Sequence, residues 1–354
     1  EGVQEYFNQG LILAFAFNHA ESVRSFKAAQ TLDPSCAMCF WGEALARGPN
    51  INVTSNGKAV MSDEQRVKAF EALGKAKDLM ANSTPQEQAY ITALSSRYDG
   101  DISSDRNALD IAYAVAMGKV VETYPEDMDA ASLYSEALMN TMPWNYWLDD
   151  GKPRSDTVKV ITKLEEVLER EPDHPLAIHL YIHAVEASNT PERAESAADR
   201  LGSLVPGAGH LVHMPAHIFW RVGRYHDASE ANINAAKVDE EYIAQCNAQG
   251  FYPAAYYPHN IHFLWAASTM EGRSELSIES ALKVSKYVSL EQIMMFPTIE
   301  YFHTIPLLSY VRFGKWDEIL NFPKPTSEFK YSQGIYHYAR GMAAFNSRIK
   351  PGPE

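Results

Sequence analysis

Val222-Gly223-Arg224-Tyr225-His226-Asp227-Ala228, followed by Ala231 and Ala235, decides how this chain is read. Glycine supplies the left-handed residue that ends one helix, and the alanines that follow continue into a second. The unit is helix, tight turn, helix. The same punctuation recurs at Phe17-Asn18-His19, Glu271-Gly272-Arg273 and Phe313-Gly314-Lys315-Trp316. A second mark, proline among acidic residues, recurs at Leu32-Asp33-Pro34-Ser35, Tyr124-Pro125-Glu126-Asp127 and Glu171-Pro172-Asp173-His174-Pro175. Proline fixes φ, so it stops one helix and suits the first turn of the next.

Between these marks, helical periodicity rich in Ala, Leu and Glu dominates, and no strand pattern of any length is visible. The spacing predicts helix pairs at 3–17 and 20–31, 35–47 and 63–80, 85–98 and 105–123, 127–141 and 155–170. Further pairs follow at 174–187 and 191–203, 209–222 and 226–239, 256–270 and 275–288, 293–312 and 315–321. A last helix, 329–346, has no partner. Loops are inserted at Gly48–Met61 and Pro143–Pro153.

The Gly-Arg-Tyr turn with its following alanines and the Asp-Pro after the second helix resemble the tetratricopeptide repeat. The segment from Asn18 to Pro34 fits the same pattern. The resemblance implies an all-α, right-handed superhelical solenoid of antiparallel helix pairs. It would be a single domain over residues 1–354, with about eight pairs plus a terminal helix. It implies protein partners and says little about chemistry. A solenoid is open at both ends. Phe329, Tyr331, Ile335, Tyr336, Tyr338 and Phe345 on the last helix could therefore dock on the Val3–Phe17 end of another copy, giving head-to-tail oligomers or fibres.

The net charge of −14 argues against nucleic acid and against anionic membranes. No apolar run approaches the length of a membrane span. The chain begins at Glu1 without methionine, which fits a processed secreted or periplasmic protein; a cytoplasmic protein is the alternative. If it is secreted, Asn52-Val53-Thr54 and Asn82-Ser83-Thr84 are glycosylation acceptors. Cys36, Cys39 and Cys246 make no disulfide framework. The CxxC pair reads as buried small residues, as a local disulfide, or as metal or redox chemistry.

Aligning the repeats on their turns exposes a histidine stripe. His183 and His217 each lie 11 residues before an equivalent alanine, Ala194 and Ala228. His179 and His213 correspond in the same way, with His262 in the next repeat, and His210 corresponds to His259. Glu136 takes the His183 position one repeat earlier, and Glu186 lies one turn beyond His183. Residues at i and i+4 share a helix face, and neighbouring helices pack about 8–10 Å apart. Imidazoles from adjacent helices can thus meet at one ion. The stripe is expected to face the concave groove of the solenoid. His179, His183, His213, His217 and His262 are the candidate ligands, with His210, His259, Glu136 and Glu186 as ligands or their supports. This donor set favours zinc, copper or iron over calcium. Hydrogen-bonded core polarity or an acidic-peptide groove are the plainer readings.

His303 falls one place out of register and reads as packing. His19, His226 and His337 read as structural. Asp99–Asp105 resembles the start of a calcium loop, but it lacks the later glutamate and reads as an ordinary capping loop. No phosphate loop, nucleophile elbow or kinase signature is present. The expected function is a metal-binding scaffold for protein interaction or self-assembly. The alternative is a metalloenzyme with a mononuclear or dinuclear site.

Overall fold

The structure is a computed structural model, and residues 2–154, 156–248, 252–295 and 297–347 are described; Ser155, where an eighth helix was expected to begin, lies outside them. Packing divides the chain into two compact units, Glu1–Arg221 and Val222–Glu354. The boundary falls in the Val222-Gly223 turn, where Gly223 has φ +83°.

The first unit holds α1 (Gly2–Phe15), α2 (His19–Leu32), α3 (Ala37–Ala46), α4 (Asp63–Leu79), α5 (Pro85–Leu94) and α6 (Arg106–Thr123). It continues with α7 (Met128–Thr141), α8 (Thr157–Arg170), α9 (Pro175–Val185), α10 (Glu195–Leu204), α11 (Gly209–His213) and α12 (Pro215–Arg221). The starts are set by local chemistry. Ser62 accepts from the Gln65 amide, Thr84 and Glu87 form a capping box, and Asp127 accepts from the Ala130 amide. Cys36 and Cys39 are joined by a disulfide at the start of α3. Cys246 is free and partly buried.

Within the first unit, α1 packs on α2 and α3, α3 on α4 and α5, and α7 on α8 and α9. The first unit also closes on itself, because α1 packs against α9. This contact carries the end of α1 into the interior, with Phe15 3% and Phe17 2% exposed. The α2–α3 contact is close enough to require glycine. A Cβ on Gly42 would lie 2.2 Å from the Phe26 ring. Gly42→Ala is therefore expected to destabilise the protein by about 1–3 kcal/mol through overpacking, read as a lower urea midpoint.

Three expectations are corrected here. The inserted loop holds a short ribbon, β1 (Thr54–Ser55) paired antiparallel with β2 (Lys58–Ala59). Asn56 (φ 51°) and Gly57 (φ 72°) form its turn, and Asn-Gly is itself a hairpin signal. The helix expected over 209–222 is split at Met214. Pro215 has no amide proton to continue the ladder, and the His217 amide bonds only as far back as Met214. The helix expected over 293–312 is interrupted by Pro297 and Pro306, leaving α16 (Leu290–Met295), a 3₁₀ stretch Pro297–His303 and α17 (Ile305–Arg312).

The second unit also contains α13 (Tyr225–Cys246), α14 (Tyr257–Glu271), α15 (Ser274–Tyr287), α18 (Trp316–Asn321) and α19 (Lys330–Asn346). The last helix packs on α17 and α18, with Tyr336, Ala339 and Ala343 against Leu307 and Ile319. Its other face leaves Tyr331, Tyr338 and Phe345 exposed. At the other end, the Val3–Phe17 surface is partly taken up by α3 and α9. No helix among the described residues is long and apolar enough to cross a membrane.

Candidate metal centre

α9 begins at Pro175, with the His174 ring accepting from the Ala177 amide and facing Asp129 at 3.1 Å. One turn in, His179 and then His183 project to the same side. α11 and α12 bring His210, His213 and His217, and the Pro215 break still leaves His213 and His217 Nε2 atoms 2.9 Å apart. The five rings form a closed circuit. Ring centres are 4.9 Å apart for His179–His183, 5.7 Å for His183–His217 and 4.8 Å for His217–His213. The circuit closes through His213–His210 at 6.0 Å and His210–His179 at 4.9 Å.

The circuit is buried, which corrects the expected open groove. His179 and His213 are 0% exposed, His183 and His210 2%, His217 8%. Phe17 fills the position, 4.5 Å from His179 and stacked on His210 at 5.8 Å.

Hydrogen bonds fix which nitrogen is bare in three of the rings. His179 Nδ1 lies 2.8 Å from the Phe15 carbonyl, which only accepts, so Nδ1 carries the proton and Nε2 is bare. Glu186 does the same for two rings at once. Its Oε1 is 3.0 Å from His183 Nδ1 and its Oε2 2.6 Å from His217 Nδ1. The outcome is three bare Nε2 atoms facing inward. The Nε2 atoms of His179 and His210 are 3.1 Å apart, a distance that suits either a hydrogen bond donated by His210 or two ligands of one ion at ~2.0–2.1 Å. The Nε2 of His183 is buried and has no hydrogen-bond partner. Ligand atoms of His179, His183 and His210 lie within 4.8 Å of one another.

Electrostatics follow from burial. Desolvation holds His179 well below the ordinary imidazole range, with repulsion from His183 adding to it. Desolvation also lowers His183, partly offset by the Glu186 carboxylate. Burial alone would raise Glu186, but His217 and His183 outweigh it and hold the carboxyl below its usual range. His179 and His183 are thus favoured as neutral imidazoles beside one carboxylate, the protonation state metal ligands need.

Glu136 lies apart from the circuit, with Asn140 donating to it at 3.4 Å; burial raises its carboxyl, and Arg97 pulls the other way. His259 and His262 belong to the second unit. His262 sits among the rings of Trp265, Tyr301 and Phe302 at 5.1–5.5 Å. Among the described residues it joins no group of three metal-binding side chains. Asn82 is exposed and Asn52 partly buried.

His303 faces the Val288 carbonyl at 2.7 Å, a packing role. His19 is more engaged than its turn position suggests, stacking on Phe17 and meeting Asn50 at 3.1 Å. Arg66 donates to the carbonyls of Asp101, Ile102 and Ser104 at 2.9–3.1 Å, so a guanidinium fills the loop that resembled a calcium site.

Burial lowers His262 from 6.5 to about 4. The unfolded chain then takes up the proton first, so stability is full above pH ~6.5 and falls as the pH drops toward ~4. At ~1.4 kcal/mol per pH unit, this displacement corresponds to at most about 3.5 kcal/mol. His262→Phe should flatten the decline in urea midpoint between pH 7 and 4.

No protein-family model matches the chain, and no curated protein matches it. Among solved structures, yeast Tom70 is similar at 11% identity, covering 100% of this chain and 91% of its own, with a TM-score of 0.32. The P58(IPK) TPR domain is similar at 14% identity, covering 99% of this chain and 100% of its own, with a TM-score of 0.26. The stacked hairpins, their glycine turns and their proline junctions make this chain an all-α, tetratricopeptide-like helical solenoid.

Proposed function

We propose that this protein is a metal-binding, tetratricopeptide-like scaffold for protein interaction, with one transition-metal ion held by His179, His183 and His210. The observation that carries the reading is the His183 Nε2 atom. It is bare, buried and without a partner, and it lies within 4.8 Å of ligand atoms on two other imidazoles. An unsatisfied buried acceptor costs about 1–3 kcal/mol, and an ion shared with the neighbouring rings removes that cost.

Imidazole donors suit zinc, copper or iron. Glu186 and the Phe15 carbonyl hold the Nδ1 protons in place, as the outer partners of metal-bound histidines do. Phe15 belongs to α1 and His179 to α9, so an ion here fastens the closure of the first unit. Near-complete burial favours this structural role over the metalloenzyme alternative, which requires a substrate position beside the ion.

The test is elemental analysis of protein purified without chelator. About one equivalent of zinc, copper or iron per chain is expected, falling at least tenfold in His183→Ala. Metal-free wild-type protein that takes up none of the three on titration would overturn the reading. Self-assembly through the exposed Tyr331, Tyr338 and Phe345 face is the accompanying proposal. Light scattering that finds only monomer at high concentration would remove it.

A further inference from the structure

Among the described residues, four that are not glycine have left-handed φ: Phe17 at 56°, Asn56 at 51°, Trp144 at 61° and Asn247 at 46°. Asparagine adopts this region readily, whereas a bulky aromatic residue is held there against its preference. Such positions gather at functional sites. Here both aromatic ones lie on the histidine circuit. Phe17 packs on His179 and His210. Trp144 meets His183 edge to face at 5.0 Å.

The two rings differ in exposure. Phe17 is 2% exposed and forms an inner wall, whereas Trp144 is 48% exposed. Behind Trp144 the loop is pinned. Trp147 Nε1 donates to the Ala184 carbonyl at 2.8 Å, and Thr157 Oγ1 to the Tyr146 carbonyl at 2.7 Å. The Arg154 amide also donates to the Tyr146 carbonyl, at 2.9 Å. None of these bonds involves the Trp144 indole, so a swing of that ring into solvent would leave them intact. Beneath it lies His183, whose Nε2 is the orphan of the site.

We propose that the Trp144 indole is a movable wall that controls access from solvent to His183 Nε2, and so sets how fast an ion enters and leaves. This rests on the metal-site reading above. A ring over the imidazole also keeps water off the ion. That restricts its coordination number and disfavours ions that demand six oxygen ligands.

The test uses the full chain as wild type, Trp144→Gly and Trp144→Phe. Glycine accepts the φ of 61° and removes the ring alone; phenylalanine keeps a wall. Each protein is loaded with cobalt(II) and chased with chelator while the cobalt absorption is followed. In parallel, diethyl pyrocarbonate modification of His183 in metal-free protein is timed by mass spectrometry. Trp144→Gly is expected to release cobalt at least tenfold faster and to modify at His183 at least tenfold faster, with Trp144→Phe near wild type. Cobalt release at the wild-type rate from Trp144→Gly would overturn the wall and leave the metal reading standing. A wild type that takes up no cobalt would sink the metal reading instead. The modification rates then decide the wall, and equal rates in wild type and Trp144→Gly overturn it.

Discussion

Chelation of the purified protein should lower its melting temperature by on the order of 10 °C, and His183→Ala should abolish most of that difference. A ligand present at a thousand times its dissociation constant stabilises the folded state by about 4 kcal/mol. For a unit of this size each kcal/mol moves the midpoint by roughly 2–4 °C. The ion acts on the contact between α1 and α9, which joins residues 164 positions apart through the His179–Phe15 bond. Glu186→Gln is the informative companion. It leaves every imidazole in place but weakens the acceptor that orients His183 and His217. Metal affinity should fall about 10–100-fold, with a smaller loss of melting temperature than in His183→Ala. Equal midpoints with and without chelator would show that no ion supports the fold.

The second large effect is expected far from the histidines, at Asp110. This carboxylate is 2% exposed and lies between two buried arginines. Arg97 Nε donates to it at 2.9 Å and Arg106 Nε at 3.2 Å. Burial pushes Arg97 down, but Asp110 together with Tyr98, Tyr113 and Glu136 more than offsets it, and burial lowers Arg106. Arg97 reaches the Pro49 carbonyl and lies over Tyr113. Neither contact supplies negative charge. Asp110→Asn therefore leaves buried Arg106 without a carboxylate and Arg97 with only the smaller influence of Glu136, and removing one partner of a buried pair costs about 3–5 kcal/mol. Urea denaturation should show a loss of that size. Replacing all three together, as Arg97→Met, Arg106→Met and Asp110→Leu, should recover much of it. If the triple variant is no better than the single, packing rather than charge is responsible.

The histidine register illustrates what was legible. His179 and His183 were paired from i,i+4 spacing alone, because one helix fixes both side chains to one face. His210 joined them from repeat alignment, because equivalent positions in stacked hairpins point the same way. Two readings could not be made from the chain. Phe15 and Phe17 lie more than 160 residues from His179, and nothing local tells that the solenoid's first hairpin folds back on its ninth helix. The left-handed φ of Trp144 is equally silent in the sequence, since no glycine or asparagine marks it. Glu136 shows the opposite error. It shares the register of His183, but Arg97 and Asn140 draw it into a different polar cluster.

The sequence by itself determined the helices, their caps and their turns, because proline, glycine and capping side chains act over a few residues and need no distant partner. It also determined which histidines share a face. Only the tertiary structure decided that the circuit of five histidines is buried rather than open, which nitrogen is bare in His179, His183 and His217, and which aromatic rings enclose it. Those depend on the closure of α1 on α9 and on the carboxylate of Glu186 reaching two helices at once, contacts that no local pattern encodes.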